Sequence, residues 1–126
     1  MRSFKTKWLT WFARREGIAD KSLCETIERA ERGLIDVDLG GGLIKMRVAR
    51  QGEGRSGGYR TIVAYRAKER AVFLYGFAKN AIDNISPDEL LVFRRVAENW
   101  LVADAAKLRE EIGAGNLQEI EDDEET

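Results

Sequence analysis

The residues that could do chemistry here are cations, among them Lys45 and Arg47 in LIKMRVAR, Arg60 in GGYR and Lys79 in YGFAKN. An arginine offers a planar fork of donors that stays charged and binds two phosphate oxygens at once, so Arg60 suits a phosphate clamp. A lysine is a compact cation that can also carry a proton. The segment Leu43 to Lys79 holds nine Lys or Arg (Lys45, Arg47, Arg50, Arg55, Arg60, Arg66, Lys68, Arg70, Lys79) against Glu53 and Glu69, a balance of +7 in a chain whose total is −1. So many cations with so few local acids imply an anionic partner, a polyphosphate first of all.

Strand periodicity would position these side chains. Ile44, Met46 and Val48 alternate with Lys45 and Arg47, so the two cations project together from the face opposite the apolar one. QGEGRSGG is too rich in glycine for regular structure and predicts a loop between antiparallel strands. Tyr59 to Arg66 and Ala71 to Ala78 read as a hairpin whose second strand, apolar except for the Tyr75 hydroxyl, is central and covered on both faces. Arg66, Lys68 and Arg70 fall at the hairpin turn, at the far end from Arg60 and Lys79, and are expected to be solvated. Arg50 and Arg55 are expected to contact phosphate without taking part in chemistry.

The remaining chain supplies cover. Phe4, Trp8, Trp11 and Phe12 recur at helical spacing up to Gly17 and are assigned to the core of a first helix. Ser22 and Glu25 stand at capping-box spacing ahead of a second helix ending near Gly33, with Cys24 as a small apolar residue beside its stripe. Leu34 to Leu39 has no clear type, and Gly40-Gly41-Gly42 predicts a bend. Ile85-Ser86-Pro87-Asp88-Glu89-Leu90 combines an N-cap, a proline at the first helical position, a capping box and a hydrophobic staple. The helix it starts buries Leu90, Phe93, Ala97, Trp100 and Leu101, and a further turn carries Leu108 and Ile112.

Composition narrows the function. Residues 1 to 100 balance at +6, and the last 26 at −7, so residues 1–115 are expected to form a single domain and 116–126 a disordered acidic tail. One cysteine gives no internal disulfide, and no Cys/His zinc pattern is present. The chain has no histidine, which removes the commonest general acid–base at neutral pH and any histidine-containing metal site. A base would then be a carboxylate, a lysine, or a group supplied by the substrate and its surroundings. No run is long and apolar enough for a signal peptide or a membrane span, so a cytoplasmic protein without cofactor is expected.

The order of LIKMRVAR, the glycine-rich loop, GGYR and an apolar strand ending in FAKN resembles the RelE/ParE superfamily of type II toxin–antitoxin toxins, and is similar to its RelE/HigB-like branch over about residues 1–102. The resemblance implies an α+β fold of the RelE, microbial-ribonuclease-like kind: a small twisted antiparallel sheet of three to four strands, with two N-terminal helices and a C-terminal helix packed on it. It further implies an endoribonuclease that cuts messenger RNA on the 70S ribosome without metal, touching message and ribosomal RNA, and is neutralised by a cognate antitoxin, expected to be of helix-turn-helix type. By position, Lys45, Arg47, Arg60 and Lys79 correspond to the family's catalytic cations, while Arg50, Arg55, Tyr59 and Asn80 are candidate RNA contacts. Family members often carry a second basic residue where this chain has Asn80, and a tyrosine where it has Ile82 and Ile85, so the general acid stays open. The same fold also serves ParE-like inhibitors of DNA gyrase, and a non-catalytic RNA-binding module is a third reading.

Overall fold

A computed structural model describes residues 1–50, 54–78 and 85–121. In chain order it contains β1 (Arg2–Thr6), α1 (Lys7–Glu16), α2 (Asp20–Glu31), β2 (Val37–Gly40), β3 (Leu43–Arg50), β4 (Gly54–Arg66), β5 (Arg70–Ala78), α3 (Pro87–Val102), α4 (Ala105–Gly113) and β6 (Leu117–Glu119). The strands form one sheet in the order β2-β3-β4-β5-β1-β6. The α+β class agrees with the sequence reading, but the sheet is wider than three to four strands and is not wholly antiparallel, because β1 runs parallel to β5.

The two extra strands explain both differences. Phe4, counted with the first helix for its aromatic spacing, instead lies in β1, which fills the edge left open beside β5. The helix begins only after Thr6, whose hydroxyl accepts from the Leu9 backbone N–H at 3.2 Å and donates to the Leu74 carbonyl at 3.1 Å. Pairing along a whole strand outweighs one residue's place in a helical pattern. At the other end the expected tail begins too early: Leu117–Glu119 pairs antiparallel with β1, Ile120 donates its N–H to the Ser3 carbonyl at 2.8 Å, and Leu117 and Ile120 are buried. Residues 122–126 lie outside the described residues.

The sheet carries a core on each face. Leu9, Phe12, Leu23 and Ile27 from α1 and α2 pack on Ile44, Met46, Val48, Val63 and Phe73. Ala97, Leu101 and Leu108 from α3 and α4 pack on Leu43, Ile62, Ala64 and Val72. Thus β5, with β4 and β1 as neighbours, is covered on both sides as expected. A Cβ on Gly76 would lie 2.9 Å from the Phe12 ring, so a glycine there lets α1 settle directly on β5. The Gly40-Gly41-Gly42 bend has φ of 82°, 63° and 81°, a left-handed path natural only for glycine.

Helix starts follow two logics. For α3 the full capping box forms at Ser86 and Glu89, as the local sequence dictates. The second helix differs from expectation: it starts at Asp20 with Ala19 as N-cap and no side-chain cap, not at the Ser22/Glu25 box. A tertiary ion pair anchors that start, the buried Lys5 ammonium reaching the Asp20 carboxylate at 2.6 Å. No described helix is long and apolar enough to cross a membrane.

Of the four N-terminal aromatics assigned to the core, Phe4 and Phe12 are buried, whereas Trp8 and Trp11 are 37% and 50% exposed. The apolar arc of α1 is too narrow for all four rings, since Phe4 does not belong to the helix and the buried face is taken by Leu9, Phe12 and Ala13.

Candidate nucleic-acid interface

Register sets the site. Arg47 on β3 lies directly opposite Arg60 on β4, Arg60 lies opposite Phe77 on β5, and Lys45 lies opposite Ile62. Directly opposed residues share a face with Cα atoms about 5 Å apart, so Lys45, Arg47 and Arg60 stand together on the face that α3 and α4 cover further along. Lys45, Arg47 and Arg60 are each half-buried. Two arginines directly opposed are unfavourable by cross-strand repulsion unless anions intervene.

One anion is built in. Because β2 pairs with β3 only from Val37 opposite Lys45, the outward N–H of Arg47 has no strand partner there. Asp36 supplies one: its Oδ2 accepts from the Arg47 backbone N–H at 2.8 Å, and its Oδ1 lies 3.0 Å from both Nε and Nη2 of Arg47. Behind it the buried Arg29 lies 3.8 Å from Asp36 and donates to the Arg47 carbonyl. Backbone and guanidinium of Arg47 are therefore both fixed. Asp36 and Arg29 escape a sequence reading because neither stands in any spacing relation to β3.

Arg60 differs. Its Nη1 is buried and has no hydrogen-bond partner among the described residues. An orphaned guanidinium nitrogen is costly and calls for a ligand or a functional reason. Arranged so, Arg60 and Arg47 can hold the non-bridging oxygens of a phosphodiester, with Lys45 next along the strand as a proton carrier.

The remaining candidates divide. Tyr59 is corrected: one residue from Arg60, it points to the opposite face, is 2% exposed, packs edge-on against Phe12 with centroids 5.6 Å apart, and donates its hydroxyl to Glu16 at 3.1 Å. No ring face is left for a base. Arg50 ends β3 opposite Gly54, and Arg55 follows on β4. Lys79 and Asn80 lie outside the described residues, following Ala78, where β5 ends opposite Tyr59.

At the hairpin end the cations have structural work. Arg70 donates to the carbonyls of Trp100 and Ala103 at 2.7 and 2.8 Å, closing the C-terminus of α3, and Arg66 donates to Leu101 at 3.3 Å. The turn residue Lys68, at φ 65°, donates its backbone N–H to Glu31, which also accepts the Tyr65 hydroxyl. That hydroxyl chiefly holds the Glu31 carboxyl below the ordinary carboxylate range. Arg66 and Arg70, expected to be solvated, are instead capping groups for α3.

Compared with known families, residues 1–120 match the model described as the RelE toxin of the RelE/RelB toxin–antitoxin system. No curated protein matches the chain.

Proposed function

The chain belongs to the RelE family of toxins from toxin–antitoxin systems, and we propose that it halts translation as an endoribonuclease cutting messenger RNA on the ribosome. A cognate antitoxin is its family-implied partner. The observation that carries the proposal is the register pair Arg47 and Arg60, one arginine fixed by Asp36 and the other with an Nη1 that has no partner among the described residues.

In this reading the substrate supplies its own nucleophile. The 2′-hydroxyl attacks the adjacent phosphorus, the bond to the 5′-oxygen breaks, and a 2′,3′-cyclic phosphate and a free 5′-hydroxyl result. Arg60 binds the non-bridging oxygens, and Arg47, already oriented, takes the charge that grows on them as phosphorus becomes five-coordinate. Lys45 relays the proton from the 2′-hydroxyl toward the departing 5′-oxygen, and Lys79, next in sequence after β5, completes the cationic set. Arg50 and Arg55 contribute charge that positions RNA.

The test is a cell-free translation extract in which message ends are mapped. Translation-dependent cuts in the message support the proposal. DNA breaks with intact message would select the gyrase-inhibitor reading, and RNA binding without cuts the non-catalytic one.

A further inference from the structure

Trp8 and Trp11 are the two exposed large aromatic residues among the described residues. An exposed indole forfeits the gain of burying a large apolar surface, and soluble proteins hold such rings outside chiefly where they meet a partner. These two continue a row of rings that starts at the cationic site. Phe77 lies opposite Arg60; its ring is 6.3 Å from Tyr75, Tyr75 is 4.2 Å from Trp8, and Trp8 is 5.7 Å from Trp11. The row passes β5 beyond residue 73, where its pairing with β1 stops, and emerges on α1.

Beyond it lies a groove of about 430 Å³ between α1 and the segment joining α4 to β6. Trp11 forms one wall with Lys7 and Arg14, and Ile112 and Leu117 face it. The Arg15 guanidinium sits 4.4 Å over the Trp11 ring and is shared with Glu16 at 3.0 Å. The groove also includes Thr10, whose hydroxyl is buried without a hydrogen-bond partner among the described residues. Trp8 is itself stacked on Phe12 at 5.3 Å and against Tyr75, so the half-exposed Trp11 is the ring that can take a base. Cations beside such a ring are what single-stranded nucleic acid requires, since any base can stack and its phosphates need charge.

We propose that Trp11 and this groove, with Trp8 supporting the ring, form a second RNA subsite that stacks an unpaired base of the strand whose phosphate lies at Arg47 and Arg60. The subsite rests on the RNA-cutting reading for its partner, and on the ring row for its continuity with the cationic end. Charge argues for RNA over a protein: Lys7, Arg14 and Arg15 surround the rings, and Glu16, the one acid of α1, is already paired.

The experiment uses the full chain and a ten-nucleotide oligoadenylate with methylated 2′-oxygens, which cannot be cut, free or annealed to its complement. Binding is read by intrinsic tryptophan fluorescence and by anisotropy of an end label. Free strand should quench the tryptophans more than duplex does. Trp11→Ala should weaken free-strand binding about tenfold, and Trp11→Phe, which keeps a stacking face, should restore part of the loss. Because Trp11 is half exposed, both variants should keep the circular dichroism of the parent. Unchanged affinity in Trp11→Ala, equal quenching by duplex, or loss of antitoxin binding with RNA binding intact would each overturn the subsite. Message cleavage by the parent with no effect of Trp11→Ala rejects the subsite and leaves the nuclease standing; Trp11-dependent quenching without any cleavage does the reverse.

Discussion

Strand β4 (Gly54–Arg66) carries Arg66 at its hairpin end and Arg60 at its middle, and the two arginines are set differently. At the hairpin end Arg66, with Arg70 across the turn, donates to carbonyls at the close of α3, while Glu31 ties the turn to α2. At the middle of the strand Arg60 stands against Arg47, with one nitrogen buried and without a hydrogen-bond partner among the described residues. The residue type is the same and the local sequence charge similar. What separates a capping arginine from a ligand-binding one is whether its donors are already satisfied inside the fold.

That comparison can be broken by substitution. Arg60→Ala should give the largest effect, lowering message cleavage at least about a hundredfold, as expected for loss of a group that stabilises transition-state charge. Its thermal midpoint should stay level or rise, because a cross-strand repulsion is removed. A marked fall in the midpoint would place Arg60 among the structural cations.

Asp36→Asn should affect both function and stability. Freeing Arg47 should lower cleavage about tenfold, and losing the carboxylate beside buried Arg29 should cost about 3 kcal/mol, read by denaturant unfolding. Arg70→Ala should cost about 2 kcal/mol, from charge-assisted bonds to the α3 carbonyls, while leaving cleavage per folded molecule unchanged.

The smallest effect concerns pH. Since the Glu31 carboxyl is held low in the fold by Tyr65 and Lys68, it stabilises the protein at neutral pH. That contribution is complete above the ordinary carboxylate range and is lost as pH falls through the lowered native value. Glu31→Gln should therefore melt earlier than the parent at pH 7, with the gap closing toward pH 3; a gap independent of pH would assign the contact no electrostatic part.

Much of this was legible because it is local. The Ser86-Pro87-Glu89 start of α3 and the alternation of Lys45 and Arg47 with Ile44, Met46 and Val48 depend on neighbouring residues alone, and both stand in the fold. The rest depends on partners distant in sequence. Phe4 is a strand residue because β5 offers an edge, and Leu117 because β1 does. Asp36 reaches Arg47 only once β2 lies beside β3, so counting acids within 43–79 missed the carboxylate nearest the site. Tyr59 and Arg60 are adjacent in GGYR and on opposite faces, and the motif as a string cannot separate their roles. Trp8 and Trp11 had helical spacing, but spacing does not say how many rings the buried arc can hold.

The most direct test of the Arg47–Arg60 pair is the salt dependence of single-stranded RNA binding by the parent, Arg60→Ala and Arg70→Ala. Each phosphate contact on a single strand contributes about 0.7 to the slope of log affinity against log salt. The slope should become shallower by about 0.7 in Arg60→Ala and stay at the parent value in Arg70→Ala. An Arg60→Ala slope equal to the parent's would contradict the account, because residue 60 would then touch no phosphate.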